Sequence, residues 1–317
     1  MKDVSIIIPC YNCQDYIGET LQSLANQRNH HFEVICVNDG STDDTLVVLK
    51  QWEDRCVLDM KIINMPNGGV SRARNAGIQA AQGEFLLFLD ADDLCHPSFI
   101  QLLVDAVRQS GADTAYCWLS RKEDTISRES TPLVLYQTQR EVMHNLLHRM
   151  PEVGFTCFLY RRELILRINV QFDVNTRRFE DREFIWKYLC HCETAVLVDM
   201  PLYYYRVTAN SATQSRKVRW STERLDAVKR VENYMKQQCC EFLGELKDYL
   251  FARVMWSVAK TYAVGDEKIL LKRLAKEYDV KSCMKRTAKD KNKLVAIASW
   301  CYLIHPMLFY HIVRLRK

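Results

Sequence analysis

The chain has 317 residues, of which 48% are hydrophobic and 26% are charged. This length can bury a large core, and this composition excludes disordered and fibrous classes of protein. The net charge of +5 is too small to favour a nucleic-acid partner, although it suits a phosphate-bearing substrate or an anionic membrane surface.

The N-terminus and the cysteines bear on the compartment. The chain enters a strand-like apolar run at Val4, without the charged and apolar regions of a secretory signal. Most of the 13 cysteines, Cys10 and Cys36 among them, lie in apolar segments. We interpret them as buried, reduced thiols and expect a cytoplasmic location.

The first part of the chain alternates between two patterns. Continuous apolar runs are typical of strands that are buried on both faces, and apolar residues at helical spacing separate them. The predicted strands are 4–8, 32–37, 61–64, 85–89 and 114–119. The predicted helices are 14–27, 42–52, 70–82 and 97–110.

This alternation predicts an α/β fold with a Rossmann-like, doubly wound and mostly parallel sheet, covered by helices on both faces. In such sheets, ligands bind at the carboxyl ends of the strands. Polar residues follow four of the predicted strands: Asn12, Asp39, Asn67, and the acids Asp90, Asp92 and Asp93.

The second half of the chain has a different composition. Strands are predicted at 134–136, 155–160 and 203–207, a helix at 180–189, and helices throughout from about residue 221. Leu225, Val228, Val231 and Tyr234 would form one apolar face. We place a boundary near residue 215, with a catalytic domain over 1–215 and a helical region over 216–317.

The last segment, 294–313, is strongly apolar and is followed by three basic residues, the first of them Arg314. It is long enough to span a bilayer, which needs about 20 residues. His305, Pro306 and His311 interrupt it, so the pattern favours a helix on a membrane surface or in the core over a spanning one.

The sequence Leu89-Asp90-Ala91-Asp92-Asp93 carries the strongest chemical pattern. Three carboxylates at the end of a buried strand repel one another unless a cation neutralises them. Oxygen-rich sites suit Mn²⁺ or Mg²⁺, which also bind diphosphate oxygens. The alternative is a solvated acidic turn before the next helix.

The acidic stretch is one of several motifs that together resemble the family 2 glycosyltransferases, which have the GT-A fold. The matching stretches are VSIIIPCYN (4–12), VNDGSTDDT (37–45), NGGVSRARNAG (67–77), GEFLLFLDADD (83–93), FED (179–181) and YYR (204–206) with Ser211. They follow the family's order across roughly residues 1–212. The resemblance implies an inverting, metal-dependent enzyme with a UDP-sugar donor, of the type that builds bacterial surface polysaccharides such as capsules.

The resemblance also implies roles for residues at the donor site. Pro9 and Tyr11 would line the uracil pocket, and Asp39 would accept a hydrogen bond from the uracil N3–H. Asn67 and Arg74 would lie near the base or the diphosphate. Three further donor residues are implied: Asp90 at the ribose, and Arg206 and Ser211 at the diphosphate. Asp92, the last Asp of the D-x-D motif, would bind the metal, and Asp93 would support it or replace it.

By the same resemblance, Asp181 is the general base that takes the proton of the acceptor hydroxyl, and Glu180 contacts the sugar. Alternatively, both acids only favour the N-terminus of the following helix through its dipole. We expect the acceptor to be a saccharide or a lipid-linked saccharide at the inner face of the cell membrane, and no nucleic acid to bind. A non-catalytic scaffold in a polysaccharide assembly complex is the rival function.

Overall fold

The computed structural model describes residues 2–29, 31–123, 131–148, 152–208, 223–238 and 240–315. The chain divides into two compact units, Met1–Asn210 and Ser211–Lys317.

The first unit contains one mixed sheet and its covering helices. Its strands are β1 Val4–Cys10, β2 Phe32–Asp39, β3 Met60–Met65, β4 Phe85–Phe88, β5 Leu94–Cys95, β6 Thr114–Ser120, β7 Val134–Thr138, β8 Phe158–Arg161 and β9 Thr194–Tyr204. Its helices are α1 Ile17–Ala25, α2 Thr45–Asp54, α3 Val70–Ala80, α4 Phe99–Ser110, α5 Gln139–His148, α6 Arg162–Ile168 and α7 Glu180–Leu189.

The strands lie in the order β3-β2-β1-β4-β8-β6-β9-β5, and β7 pairs with β9. The first four strands are parallel, as predicted, and the continuous apolar sequences of β1 and β4 are buried. Beyond β4 the sheet is mixed, because β8 runs antiparallel to both of its neighbours. The predicted, mostly parallel arrangement is therefore found in the half of the sheet that contains β1 to β4, and the other half is mixed.

The second half of this unit departs from the prediction in several places. Strand β9 begins at Thr194, where only 203–207 was predicted, and the predicted strand 155–160 begins as a 3₁₀ turn, Phe155–Cys157. The two-residue β5 and the helices α5 and α6 were not predicted. These elements are short or lack a clean apolar period, so tertiary contacts determine them.

Helix α3 packs closely on β1 because Gly77 has no side chain. A Cβ atom at Gly77 would lie 2.3 Å from Cγ2 of Ile7, which is fully buried in β1. The close approach of the Gly77 backbone to Ile7 therefore sets the distance between the sheet and α3, the helix that carries Arg74.

We predict that Gly77→Ala destabilises the protein by about 1–3 kcal/mol, because the added methyl group overpacks the interface. Urea denaturation would measure the loss. Gly18→Ala in α1 is the matched control, since its Cβ would meet nothing closer than 3.8 Å and alanine favours helix. Equal stabilities for the two variants would contradict the prediction.

The second unit is helical in its described part. Its elements are α8 Glu223–Gln237, α9 Leu243–Glu245, a π-helical turn Leu246–Phe251, α10 Ala252–Val264, α11 Lys268–Glu277, α12 Val280–Thr287, α13 Lys293–Ile304 and α14 Pro306–Arg314. The predicted apolar face of α8 packs in the core: Leu225, Val228 and Val231 are fully buried, and Tyr234 is half-buried.

The apolar segment 294–313 forms two helices rather than one. His305 has an extended backbone between α13 and α14, and its Nδ1 accepts a hydrogen bond from the Met307 N–H, which begins α14. Among the residues that the structure describes, no helix is long and apolar enough to cross a membrane.

Candidate active site

The carboxyl ends of β1, β2 and β4 meet at one edge of the sheet, and most of the predicted site residues lie there. At the end of β2, the buried Asp39 carboxylate accepts hydrogen bonds from the backbone N–H groups of Gly68 and Gly69, both at 2.8 Å. Asn67 donates from its side chain to the Asp39 carbonyl at 2.9 Å. Asp39 therefore fixes the loop that leads into α3 and retains a lone pair on each oxygen.

Tyr11 is presented to solvent by the turn that follows β1. Asn12 has a left-handed backbone (φ 48°), and its side-chain oxygen accepts a hydrogen bond from the Thr42 N–H at 2.8 Å. Tyr11 is 52% exposed as a result, which leaves its ring free to stack against a ligand. Pro9 lies beside it in β1, opposite Val37 and beyond the last β1–β4 pair, where its missing N–H disrupts no ladder on the β4 side.

The acidic turn after β4 is held by a tyrosine that the sequence did not single out. Tyr203 in β9 donates its hydroxyl hydrogen to Asp93 at 2.6 Å and accepts the backbone N–H of Asp90 at 3.3 Å. The other Asp93 oxygen accepts the Arg206 N–H at 2.8 Å. Burial, and then the charge of Asp90, raise the pKa of Asp93 to about 8. Hydrogen-bond donors of the chain itself thus engage both oxygens of Asp93.

Asp92 differs from Asp93 in its surroundings. Its side chain is half-buried, and among the described residues it accepts a hydrogen bond from its own backbone N–H and from no other residue. Burial and the charge of Asp90 raise the pKa of Asp92, while Arg206 lowers it. An unpaired carboxylate whose charge is disfavoured in this way would be stabilised by a cation. Of the predicted metal ligands, Asp92 is therefore the one positioned for this role.

Arg74 connects this turn to the second acidic motif. Its guanidinium is buried and bonds Asp90 at 2.9 Å and Glu180 at 3.2 Å. It also lies over the rings of Phe155 and Phe172, 4.4 Å and 5.3 Å from their centroids. The predicted site residues of α3, the β4 turn and α7 thus form one network, although they are far apart in sequence.

Glu180 and Asp181 occupy the first turn of α7. Phe179, just before them, has a left-handed backbone (φ 81°). Burial, and then the charge of Asp181, outweigh Arg74 and raise the pKa of Glu180 to about 7. Asp181 is half-buried and accepts the Arg182 N–H at 2.7 Å, which leaves its second oxygen without a hydrogen bond among the described residues.

Arg206 lies directly after β9. Its side chain pairs with Glu19 at 2.5 Å and lies 5.5 Å from the centroid of the Tyr16 ring. Its side chain is largely buried, with 16% exposed. Ser211, the other predicted diphosphate residue, lies outside the described residues.

Two features of the site escaped the prediction. Tyr203 was treated only as part of an aromatic strand, although a tyrosine inside a strand that ends beside Arg206 indicates a buried hydroxyl in need of a partner. Cys10 and Cys13 flank the turn that carries Tyr11, and their thiols share a hydrogen bond. This bond is the main reason why the pKa of Cys13 is lowered and the pKa of Cys10 is raised. All cysteines of the described residues are free.

Comparison with known proteins identifies the family. The sequence profile described as "Glycosyl transferase family 2" matches residues 5–168. The chain belongs to this family.

Two bacterial glycosyltransferases are similar to this chain in sequence. The chain is 34% identical over 219 residues to an uncharacterized glycosyltransferase, EpsJ of Bacillus subtilis (strain 168), covering 67% of this chain and 63% of that protein. It is 28% identical over 207 residues to the poly(ribitol-phosphate) beta-N-acetylglucosaminyltransferase TarS of Staphylococcus aureus (strain Mu50), covering 64% of this chain and 35% of TarS. The match thus spans less than two thirds of either relative.

The fold is also that of a solved glycosyltransferase structure. The crystal structure of S. aureus TarS 1-349 in complex with UDP-GlcNAc superposes with a TM-score of 0.64 and 18% identity, covering 99% of this chain and 91% of that one. The predicted GT-A fold is confirmed.

In this family 2 protein, we predict that the Glu180 carboxyl makes stability depend on pH. Its folded-state pKa of about 7 exceeds its ordinary value of 4.5, so the folded protein keeps a proton that the unfolded chain has released between those values. Stability that is present at low pH is therefore lost as the pH rises toward 7. Relative to the wild type, Glu180→Gln should gain about 1–3 kcal/mol between pH 5 and pH 8.

Urea denaturation at the two pH values would measure this gain. The exposed Glu53, in α2, provides the matched control, because Glu53→Gln should differ from the wild type equally at both pH values. The same equality for Glu180→Gln would contradict the raised pKa.

Proposed function

We propose that this chain is an inverting glycosyltransferase that moves a sugar from a UDP-sugar to an acceptor hydroxyl, with the help of Mn²⁺ or Mg²⁺. The observation that carries the proposal is the buried Arg74, which bonds both Asp90 and Glu180. It joins the turn that would bind the donor to the helix that would supply the base. A half-buried carboxylate follows each partner of Arg74 in the sequence and remains available for a ligand: Asp92 after Asp90, and Asp181 after Glu180.

The residues at the carboxyl ends of β1 and β2 would bind the nucleotide. The exposed Tyr11 ring offers a face for the base, and Asp39 has lone pairs left for the uracil N3–H. Asn67 and Pro9 would complete this pocket, and Asp90 would accept hydrogen bonds from the ribose hydroxyls. The complexes of TarS with UDP and with UDP-GlcNAc support a UDP donor.

Asp92 would be the protein's ligand for the divalent cation. Within the described ranges, no three His, Cys, Asp or Glu side chains converge so as to hold a metal by themselves. The site fits the cation if Asp92 supplies one oxygen and the donor's diphosphate supplies others. When bound, the cation offsets charge on the diphosphate as it leaves. Arg206 would contribute a second positive charge there, and Asp93 would hold the turn through Tyr203.

Asp181 would act as the general base. The acceptor hydroxyl is a weak nucleophile, so a carboxylate must take its proton as the oxygen attacks C1 of the sugar. Because UDP departs from the opposite face, this displacement inverts the anomeric centre. Glu180, held beside Asp181 by Arg74, would contact the hydroxyls of the donor sugar.

For the acceptor, we propose a hydroxyl of a growing surface glycan or of a lipid-linked saccharide. TarS is named for transfer to poly(ribitol-phosphate), which supports a polymeric acceptor with hydroxyl groups. The mild positive charge of the chain also suits an acceptor that carries phosphate.

Donor titration tests the proposal directly. Calorimetry would compare four donors: UDP-glucose, UDP-galactose, UDP-N-acetylglucosamine and GDP-mannose. We expect one of the three UDP-sugars to bind when Mn²⁺ is present. Asp92→Ala should abolish the dependence on Mn²⁺, because it removes the protein's ligand to the metal. Asp54→Ala, at the exposed end of α2, is the control and should bind like the wild type. If no donor bound at all, the scaffold function would be favoured.

Asp181→Asn separates binding from chemistry. We expect UDP-sugar affinity to be retained and turnover to fall by about 10²–10⁴-fold, because the amide cannot accept the acceptor's proton. Release of UDP in the presence of an active acceptor would measure turnover, with Asp54→Asn as the control. Full activity in Asp181→Asn would move the base to another residue, with Glu180 the first to examine.

A further inference from the structure

Helix α13 is apolar on two opposite faces. One face packs in the core of the second unit through Val295, Ala298, Ser299 and Tyr302, all buried. The opposite face carries Leu294, Ile297, Trp300 and Ile304, also at helical spacing. We call these four residues the α13 stripe.

The α13 stripe is exposed. Ile297, Trp300 and Ile304 are 54%, 58% and 73% accessible, and Leu294 is 49% accessible. A surface helix normally has polar residues on its outer face, and a helix that is apolar all round is normally covered. A contiguous exposed patch of large apolar side chains marks an interaction site.

Lysines surround the stripe. The segment 281–293 contains six cationic residues and a single acid. Arg286 pairs with Asp248 at 3.0 Å, and the acid, Asp290, pairs with Arg253 at 3.1 Å. The lysines are all exposed, and none of them forms an ion pair within the described part of the chain: Lys281, Lys285, Lys289, Lys291 and Lys293. Their positive charge is thus uncompensated.

A cavity of about 800 Å³ lies where the lysines meet the stripe. Lys281, Lys285 and Lys289 line it together with Trp300 and Leu303 of α13, and the Arg286–Asp248 ion pair lines it as well. The polar side of the cavity thus has four cations and one acid, a net positive charge, and the other side is apolar. This combination suits an amphiphile with an anionic head and a hydrocarbon chain, whereas a free polar anion would leave the apolar side unused.

We propose that the α12–α13 face binds the surface of an anionic membrane. The lysines lie at the phosphates of the lipid headgroups, and the α13 stripe enters the boundary with the acyl chains. Helix α13, with 12 residues, is about 18 Å long, too short for the roughly 30 Å of hydrocarbon, so it lies on the bilayer. A second copy of the chain is disfavoured, because a two-fold contact would bring lysines against lysines.

Vesicle co-sedimentation of the full chain tests this surface. We expect the protein to sediment with vesicles of phosphatidylglycerol in phosphatidylcholine, and not with phosphatidylcholine alone. Raising the salt concentration should weaken the binding, because it screens the lysines. Equal binding to both kinds of vesicle, or to neither, would overturn the proposal.

Charge reversal tests the lysines. Lys281→Glu/Lys285→Glu/Lys289→Glu should weaken vesicle binding by at least about 100-fold. The matched control is Lys272→Glu/Lys276→Glu, on the exposed face of α11 in the same unit, which should bind within about threefold of the wild type. Unchanged binding in the triple variant would overturn the assignment of the headgroup contact.

Polar substitution tests the stripe. Ile297→Gln/Ile304→Gln should weaken vesicle binding about 10-fold or more, while Ile269→Gln, at a residue that is 80% exposed in α11, should not. Thermal melts establish that the variants are folded, and calorimetry with a UDP-sugar separates this result from the proposed donor site. Sedimentation velocity tests whether a second copy of the chain binds this face instead. A dimer of the wild type that becomes a monomer in Ile297→Gln/Ile304→Gln would overturn the membrane proposal.

Discussion

The architecture of the candidate active site depends on one buried cation. Without the Arg74 guanidinium, the carboxylates of Asp90 and Glu180 would lie in a poorly solvated region with only like charges near them. The cation is itself costly to bury, and the rings of Phe155 and Phe172 replace part of its hydration with their π-electron faces. Helix α3, the β4 turn and α7 are therefore constrained to meet at this residue.

The two halves of the sheet contribute differently to this arrangement. The parallel strands supply the loops at which a nucleotide would bind, as in other doubly wound folds. The mixed half supplies Tyr203 of β9 and the backbone N–H of Arg206, directly after β9, and both bond Asp93 in the acidic turn. Changes in the mixed half can therefore alter the geometry of the acids without any substitution in the motifs themselves.

The sequence predicted the parts of the fold that repeat a simple pattern. Buried apolar runs revealed β1 and β4, and the ordered motifs identified the family and the acidic turn after β4. The tether from Tyr203 to Asp93 joins residues 110 positions apart, which no local pattern reveals. The exposed stripe on α13 was hidden for a different reason: both faces of the helix are apolar, so periodicity cannot distinguish the covered face from the exposed one.

Phe179 shows what the arrangement of the acids costs. A bulky residue in the left-handed region is strained by about 1–2 kcal/mol, and this strain lies immediately before Glu180 and Asp181. Glycine would adopt the same backbone without strain, yet it would also let the start of α7 sample other directions. At this position, selection for thermostability and selection for a fixed placement of the two carboxylates would therefore favour different residues, and directed evolution would meet a trade-off there.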